Sequence, residues 1–269
     1  MHSRIAIIAG AGALPAAVAA HLDHPEIHAP EGVRTAIAAR PFRFERLIPF
    51  LDDLVDRGIT GVVLAGAMQR PRLDPALFDP VTAQMVPRIL AAMQAGDDAT
   101  LREMIAIIEE AGLAVLGIDD VAPDLIPGAG VLGAVAPHAT AEQDAERAAL
   151  IVAALGAADV GQGCVVVQGL CLAAEALPGT DAMLAGVALL PQTLRPDPAR
   201  GPGLIYKAPK PGQSRRVDLP ALGPRTVQGA AAAGLGAVVW QAGGVIVLDR
   251  EAMIAEADRL GICLWAREA

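Results

Sequence analysis

Residues 4–22 read RIAIIAGAGALPAAVAAHL, and this stretch decides the fold. Arg4–Ala9 is a short apolar run, the pattern of a strand buried on both faces. Gly10-Ala11-Gly12 follows, and Leu14–Leu22 continues as a helix with Pro15 in its first turn, where the missing N–H removes no hydrogen bond. Strand, glycine turn and helix make a βα unit. Such a turn either receives a phosphate through backbone N–H groups and the helix dipole or packs helix tightly on strand. For Gly10 and Gly12 the sequence leaves both readings open. A dinucleotide fingerprint wants a third glycine where Pro15 stands and an acid after the second strand. That strand is expected at Arg34–Ala39, and Arg40 follows it, which disfavours a nicotinamide dinucleotide.

Outward from this unit the alternation continues. Phe44–Arg57 has the pattern of an amphipathic helix, Gly61–Ala65 of a strand, Pro75–Gln94 of a helix breaking or kinking near Pro87, and Leu113–Ile118 of a further strand. Gly96-Asp97-Asp98 opens a helix to Ala111. Asp97 reads as its N-cap and Asp98 as a first-turn acid, and paired acids after a glycine also suit a metal or a ribose. Alternating strands and helices imply a parallel sheet with helices on both faces. Asp119–His138 is crowded with Pro and Gly and marks the expected boundary. The fold expected is α/β: an N-terminal parallel-sheet, Rossmann-like domain over residues 1–131 and a C-terminal mixed α/β domain over residues 132–269.

In the second half, Thr140 with Gln143 is a capping-box signature for a helix to near Leu155. Val165–Val167 and Leu170–Ala174 flank Gln168-Gly169 as a β-hairpin. Thr180 is expected to cap a helix through Leu190, Pro224 to start one ending near Gly234, and Asp249 to cap one to Leu260. Leu204–Tyr206, Ala237–Gln241, Val245–Leu248 and Ile262–Trp265 read as strands. Thr226–Leu248 is uncharged and long enough to span a bilayer, but its glycines divide it into a helix and two buried strands. The N-terminal run mimics a signal peptide, and Gly10, Gly12 and Pro15 interrupt it.

The 269-residue chain is 54% hydrophobic and 19% charged, enough apolar content for a real core. Its net charge of -9 disfavours nucleic acid as a partner. Cys164, Cys171 and Cys263 lie in apolar runs without a CxxC, which fits reduced thiols used for packing. Against the acidic background, Lys207–Thr226 reads KAPKPGQSRRVDLPALGPRT and sets Lys207, Lys210, Arg215, Arg216 and Arg225 around one acid, Asp218. Its prolines forbid a long helix. A stiff basic segment suits an anionic small molecule, phosphate first, and also reads as solvated surface. Asp218 either holds a cation, takes a proton from an attacking water, or pairs with Arg215 or Arg216. Asp159, Glu175 and Asp181 are the other acids of this half, read as turn, strand end and helix start. The histidines, His2, His21, His24, His28 and His138, lie in the first half or at the boundary and read mostly as solvated. A metal, if present, is therefore expected on oxygen ligands, which points to Mg²⁺ or Mn²⁺ rather than Zn²⁺.

Five segments read together resemble the UDP-2,3-diacylglucosamine pyrophosphatases of the LpxI type. They are IAIIAGAGALP from Ile5, GDDATLR from Gly96, DVGQGCVVVQGLCLAAEALPGTDAML from Asp159, KAPKPGQSRRVDLPALGPRTV from Lys207 and LDREAMIAEADRLGI from Leu248. Ala11 stands where much of that family carries glycine. The resemblance implies a two-domain enzyme, with ligand between the domains, that uses Mg²⁺ or a similar ion. Water would attack the α-phosphorus of UDP-2,3-diacylglucosamine, giving UMP and 2,3-diacylglucosamine 1-phosphate, a step towards lipid A. It implies Asp218 as the catalytic, metal-holding acid and Asp181 as a second metal contact. Lys207, Lys210, Arg215 and Arg216 become substrate cations, and Gly10, Gly12, Gln162 and Thr180 further substrate contacts. The Gly-Ala-rich second half offers apolar lining for acyl chains. The implied setting is cytoplasmic and peripheral to the inner-membrane surface, with a homodimer among the partners and no nucleic acid. The alternative is a non-catalytic protein that binds a nucleotide sugar or lipid precursor.

Overall fold

A computed structural model describes residues 4–68, 73–212 and 214–268, so Gln213 of the basic segment lies outside the described residues. Contacts divide the chain into two units. The first holds the chain to Pro123 together with Arg216–Asp218, and the second holds Asp124–Arg215 and the chain from Leu219 onward.

The first unit runs β1 (Ile5–Ala9), α1 (Leu14–Ala19), β2 (Glu26–Pro30), β3 (Arg40–Phe42), α2 (Leu47–Asp56), β4 (Gly61–Ala65), α3 (Pro80–Ala95), α4 (Asp97–Glu110), β5 (Ala114–Leu116) and α5 (Ile118–Val121). The strands form one sheet in the order β3-β2-β1-β4-β5. Every neighbouring pair is parallel, with Ile7 aligned on Ile27 and on Val63. β1 is central and apolar throughout, as a strand covered on both faces must be. Leu47, Leu51 and Leu54 of α2 and Ile105 and Ile108 of α4 recur at helical spacing and close over it. Val217, far along the chain, is buried in the same core.

The second strand lies at Glu26–Pro30, not at Arg34–Ala39. EIHAP carries a proline and a histidine, so its pattern hides a strand that tertiary contacts secure. Glu26 accepts from Arg57 at 2.8 Å and meets Arg4 and Arg40 at 3.4 and 3.5 Å, while His28 packs edge-on against Phe50. Glu31 directly follows the true strand, so the argument from a missing acid fails. Its carboxylate is held by Arg43 at 2.8 Å. The case against a dinucleotide rests instead on Pro15 and on the glycine turn. Gly10 N–H donates to Ala65 O at 2.7 Å and Ala11 N–H to Ala67 O at 2.8 Å. Helix α3 continues through Pro87 without a break, because Pro87 is exposed and water can satisfy the carbonyl it leaves unpaired. Gly96, not Asp97, is the N-cap of α4.

The second unit runs β6 (Gly130–Leu132), α6 (Ala141–Ala157), β7 (Gly163–Val167), β8 (Leu170–Ala174), α7 (Gly179–Ala188), β9 (Leu204–Lys207), β10 (Ala221–Leu222), α8 (Pro224–Ala232), β11 (Ala237–Gln241), β12 (Ile246–Val247), α9 (Arg250–Leu260) and β13 (Cys263–Arg267). Its main sheet has the order β6-β13-β11-β9-β7-β8, and β10 pairs separately with β12. The central strands β13, β11 and β9 are parallel, and β6, β7 and β8 are antiparallel to their neighbours. Alternation within each strand sorts the side chains between two cores. Val165, Ile205, Val238 and Trp240 face α7, α8 and α9. Cys164, Val166, Leu204, Tyr206 and Val239 face α6, which answers with Ala141, Ala145, Ala148 and Val152. Thr226–Leu248 is thus divided between α8, β11 and β12, and among the described residues no helix is long and apolar enough to cross a membrane.

The hairpin forms as its sequence indicates. Gln168 and Gly169 both have positive φ, 53° and 78°, the signature of a type I′ turn. Buried Asp144 of α6 accepts from both of their N–H groups, at 3.1 and 2.7 Å. The expected threonine caps take other partners. Thr140 precedes α6, but its hydroxyl meets His138 Nδ1 at 3.1 Å, and Thr180 lies inside α7 rather than before it. Asp249 stands at the N-cap of α9 without a side-chain cap bond.

Candidate active site

The basic segment begins at the end of β9, where Lys207 faces away from Tyr206 and is buried, 5% exposed. Its Nζ donates to Thr180 Oγ1 at 2.6 Å and lies 3.3 Å from Glu175, which is 8% exposed. Thr180 in turn donates to Glu175 Oε1 at 2.9 Å. The three side chains form a closed ring joining β9, the end of β8 and the first turn of α7. An ion pair this deep is held by geometry, since desolvating both charges costs as much as their attraction returns. The glycines of D-V-G-Q-G make room for it. A Cβ on Gly163, which pairs with Lys207 across β7 and β9, would lie 2.5 Å from Glu175 Oε2. A Cβ on Gly161 would lie 2.1 Å from Glu175 O. Between them, Gln162 accepts Ala208 N–H through its backbone at 3.1 Å, and its side-chain Oε1 is buried without a hydrogen-bond partner among the described residues.

The other bases sort by partner. Lys210 is paired with Asp159 at 2.6 Å, Arg216 with Glu109, and Arg225 with Asp181. Arg216 also reaches Val115 O at 3.4 Å, which ties it to the first unit. Arg215 donates to the Gly243 carbonyl, and among the described residues no carboxylate pairs with it. Of the five cations that the sequence gathers, Arg215 alone therefore keeps an uncompensated charge among the described residues. It lines a cavity of about 360 Å³ in the second unit, with Lys210, Tyr206 and the α6 residues Ala149, Val152 and Ala153.

Asp218 is exposed and has φ 58°, a left-handed conformation that aspartate tolerates better than most residues. Val217 before it is anchored in the first unit's core, and Leu219 after it is buried in the second unit. An exposed carboxylate in a sparsely populated conformation thus stands between two residues that are buried. Asp181 is exposed and engaged by Arg225. Among the described residues, no group of three or more His, Cys, Asp or Glu gathers as a metal cage.

Gly10 and Gly12 belong to the first unit. Gly10 is glycine because of crowding: a Cβ there would lie 2.5 Å from Ala67 O. Ala11 bridges to Ala67 through its backbone, which an alanine does as well as a glycine. Gly12 has φ 94° and open space around it. Cysteine chemistry is not set up by burial: it pushes the Cys164 thiol to about 12 and Cys263 to about 11, leaving Cys171 as the exposed one. The role of Glu175 is not apparent from its place at the end of a strand. The usable signal was a lone carboxylate in the apolar run from Val165 to Thr180, since a charge in such a run has to be paired.

Comparison with known proteins covers both units. The LpxI N-terminal domain matches residues 4–125 and the LpxI C-terminal domain residues 128–265. A protein of Caulobacter vibrioides, UDP-2,3-diacylglucosamine pyrophosphatase LpxI, is 36% identical over 280 residues, spanning 96% of this chain and 95% of its own length.

Proposed function

The chain belongs to the LpxI family, and from that premise we propose that it hydrolyses the diphosphate of UDP-2,3-diacylglucosamine, with water attacking the α-phosphorus to give UMP and 2,3-diacylglucosamine 1-phosphate. The observation that carries this reading is the segment 207–218. It offers one cation without a compensating carboxylate among the described residues, Arg215, and one exposed acid in a left-handed conformation, Asp218. Hydrolysis of a diphosphate diester needs exactly two kinds of help from side chains: cations to offset charge on the phosphates, and an acid that orients or deprotonates water.

In this reading Arg215 binds the diphosphate and Asp218 serves the attacking water. Lys207 acts through the ring with Glu175 and Thr180, fixing the start of α7 rather than meeting phosphate directly. Lys210 and Arg216 contribute positive potential, reduced by Asp159 and Glu109. Mg²⁺ or Mn²⁺ is proposed as cofactor and would neutralise charge at the attacked phosphate. The donor types suit it, since Mg²⁺ is commonly held by one or two carboxylates with phosphate oxygens and water completing the shell. Asp218 would hold it, while the Asp181 carboxylate is engaged by Arg225. Exposed leucines of the second unit, Leu177 and Leu189, support a peripheral encounter with the membrane that carries such a substrate.

The test is turnover by the purified chain of UDP-2,3-diacylglucosamine with Mg²⁺ in ¹⁸O-water. UMP carrying the label is expected. Label in the lipid phosphate contradicts attack at the α-phosphorus. Tight binding without any UMP release points to the non-catalytic binding protein instead.

A further inference from the structure

We propose that Arg216 is a positioning residue for Asp218: it fastens the chain just before the acid to the end of α4 and to a carbonyl of β5, and does not meet the substrate's phosphates. This rests on the catalytic reading of Asp218 above and goes further, giving one cation of the basic segment a task other than binding. Residues 216–218 lie outside every helix and strand, so no regular ladder of backbone bonds fixes them. Side chains do it instead. Val217, 3% exposed, shares the first unit's core with Ile105, Ile108 and Val115. The Arg216 guanidinium donates to the Glu109 carboxylate and, at 3.4 Å, to Val115 O. Gly117 lets the chain come close: a Cβ there would lie 3.3 Å from the Arg216 Cα and 2.2 Å from Asp119 Oδ1. All of these residues belong to the first unit.

The placement of Glu109 speaks for the pair. Helix α4 ends on Glu109 and Glu110, with no basic residue of its own in the last turn. A carboxylate there faces the negative end of the helix dipole and is unfavourable by itself. An arginine from elsewhere offsets each one. Arg88 of α3 binds Glu110 at 2.8 Å and joins two neighbouring helices. Arg216 binds Glu109 from 107 positions along the chain and stands two residues before Asp218. Its charge is already compensated, so a diphosphate gains little from it, whereas Arg215 keeps its charge among the described residues. Both partners of the pair are nearly half exposed, so it adds little to global stability. Its effect falls on the chemistry, where a displacement of an ångström costs about 100-fold.

The experiment follows steady-state UMP release by the full chain with Mg²⁺. Arg216→Met and Glu109→Gln should each lower kcat by about 10–100-fold, with KM within about twofold of the original. A phosphate ligand gives another pattern: Arg216→Met raises KM, and Glu109→Gln, which frees the guanidinium, lowers it. In an Asp218→Ala background, Arg216→Met should cost no further activity, because it acts only through that acid. Exchanging the pair, Arg216→Glu with Glu109→Arg, should restore most of the kcat lost in Arg216→Glu alone. Hydrogen exchange across residues 216–222 should quicken in Arg216→Met while the melting temperature barely moves. An inactive unchanged chain counts against the hydrolytic reading. An active chain whose variants shift KM, or whose losses add to that of Asp218→Ala, overturns this inference alone. Unchanged exchange in Arg216→Met overturns it whether or not the chain turns over.

Discussion

Replacing Lys207 by Met isolates the ring of Lys207, Glu175 and Thr180. The substitution keeps most of the apolar stem and removes the charge. Glu175, 8% exposed, then retains only the Thr180 hydroxyl as a donor among the described residues. Stranding a carboxylate at that depth costs about 3–5 kcal/mol. For a chain of this size that corresponds to a fall in melting temperature on the order of 10 °C. Urea unfolding should show a lower midpoint at an unchanged slope, which separates lost stability from a changed denatured state. Pairing the substitution with Glu175→Leu should recover most of the loss, because two apolar groups replace a desolvated ion pair. A loss below about 1 kcal/mol, or a double variant no better than the sum of the singles, refutes the ring as a structural clamp. If stability holds and KM rises instead, Lys207 is a phosphate ligand.

Asp144→Ala should destabilise the chain by about 1.5–3 kcal/mol, since the N–H groups of Gln168 and Gly169 lose a charged acceptor; chemical denaturation measures it. Gly161→Ala forces a Cβ against the Glu175 carbonyl, and an overpacking loss of about 1–3 kcal/mol should appear as early unfolding. Native maleimide labelling should modify Cys171 alone, with Cys164 and Cys263 reacting only after unfolding. His28 is held below its usual 6.5, chiefly by burial, with Arg57 and Arg40 adding to the effect and Glu26 opposing it. Its folded pKa lies below the unfolded one, so its contribution is complete above pH 6.5 and is lost as the pH falls towards the folded value. His28→Phe should therefore flatten the dependence of melting temperature on pH in the window just below 6.5.

Local pattern carried much of the fold. β1, its glycine turn, the hairpin at Gln168-Gly169 and the helix started by Pro224 each follow from residues adjacent in sequence. What escaped local reading depends on partners far along the chain. EIHAP becomes a strand because three arginines gather on Glu26 and Phe50 packs on His28, while the more regular Arg34–Ala39 stays irregular. Thr140 and Thr180 match cap signatures, yet their hydroxyls serve His138 and the buried ring. The basic segment was legible as a cluster of charge. Its division into compensated cations and Arg215 was not, because Asp159, Glu175, Glu109 and Asp181 come from four other places in the sequence.

The central claim is that Asp218 serves the chemistry while Arg215 serves binding. Steady-state UMP release by Asp218→Ala, with substrate affinity measured in parallel by calorimetry, tests this most directly. The account predicts that kcat falls by about 10²–10⁴-fold while affinity stays close to that of the unchanged chain. A kcat within tenfold of the original, or an equal loss of affinity, contradicts it.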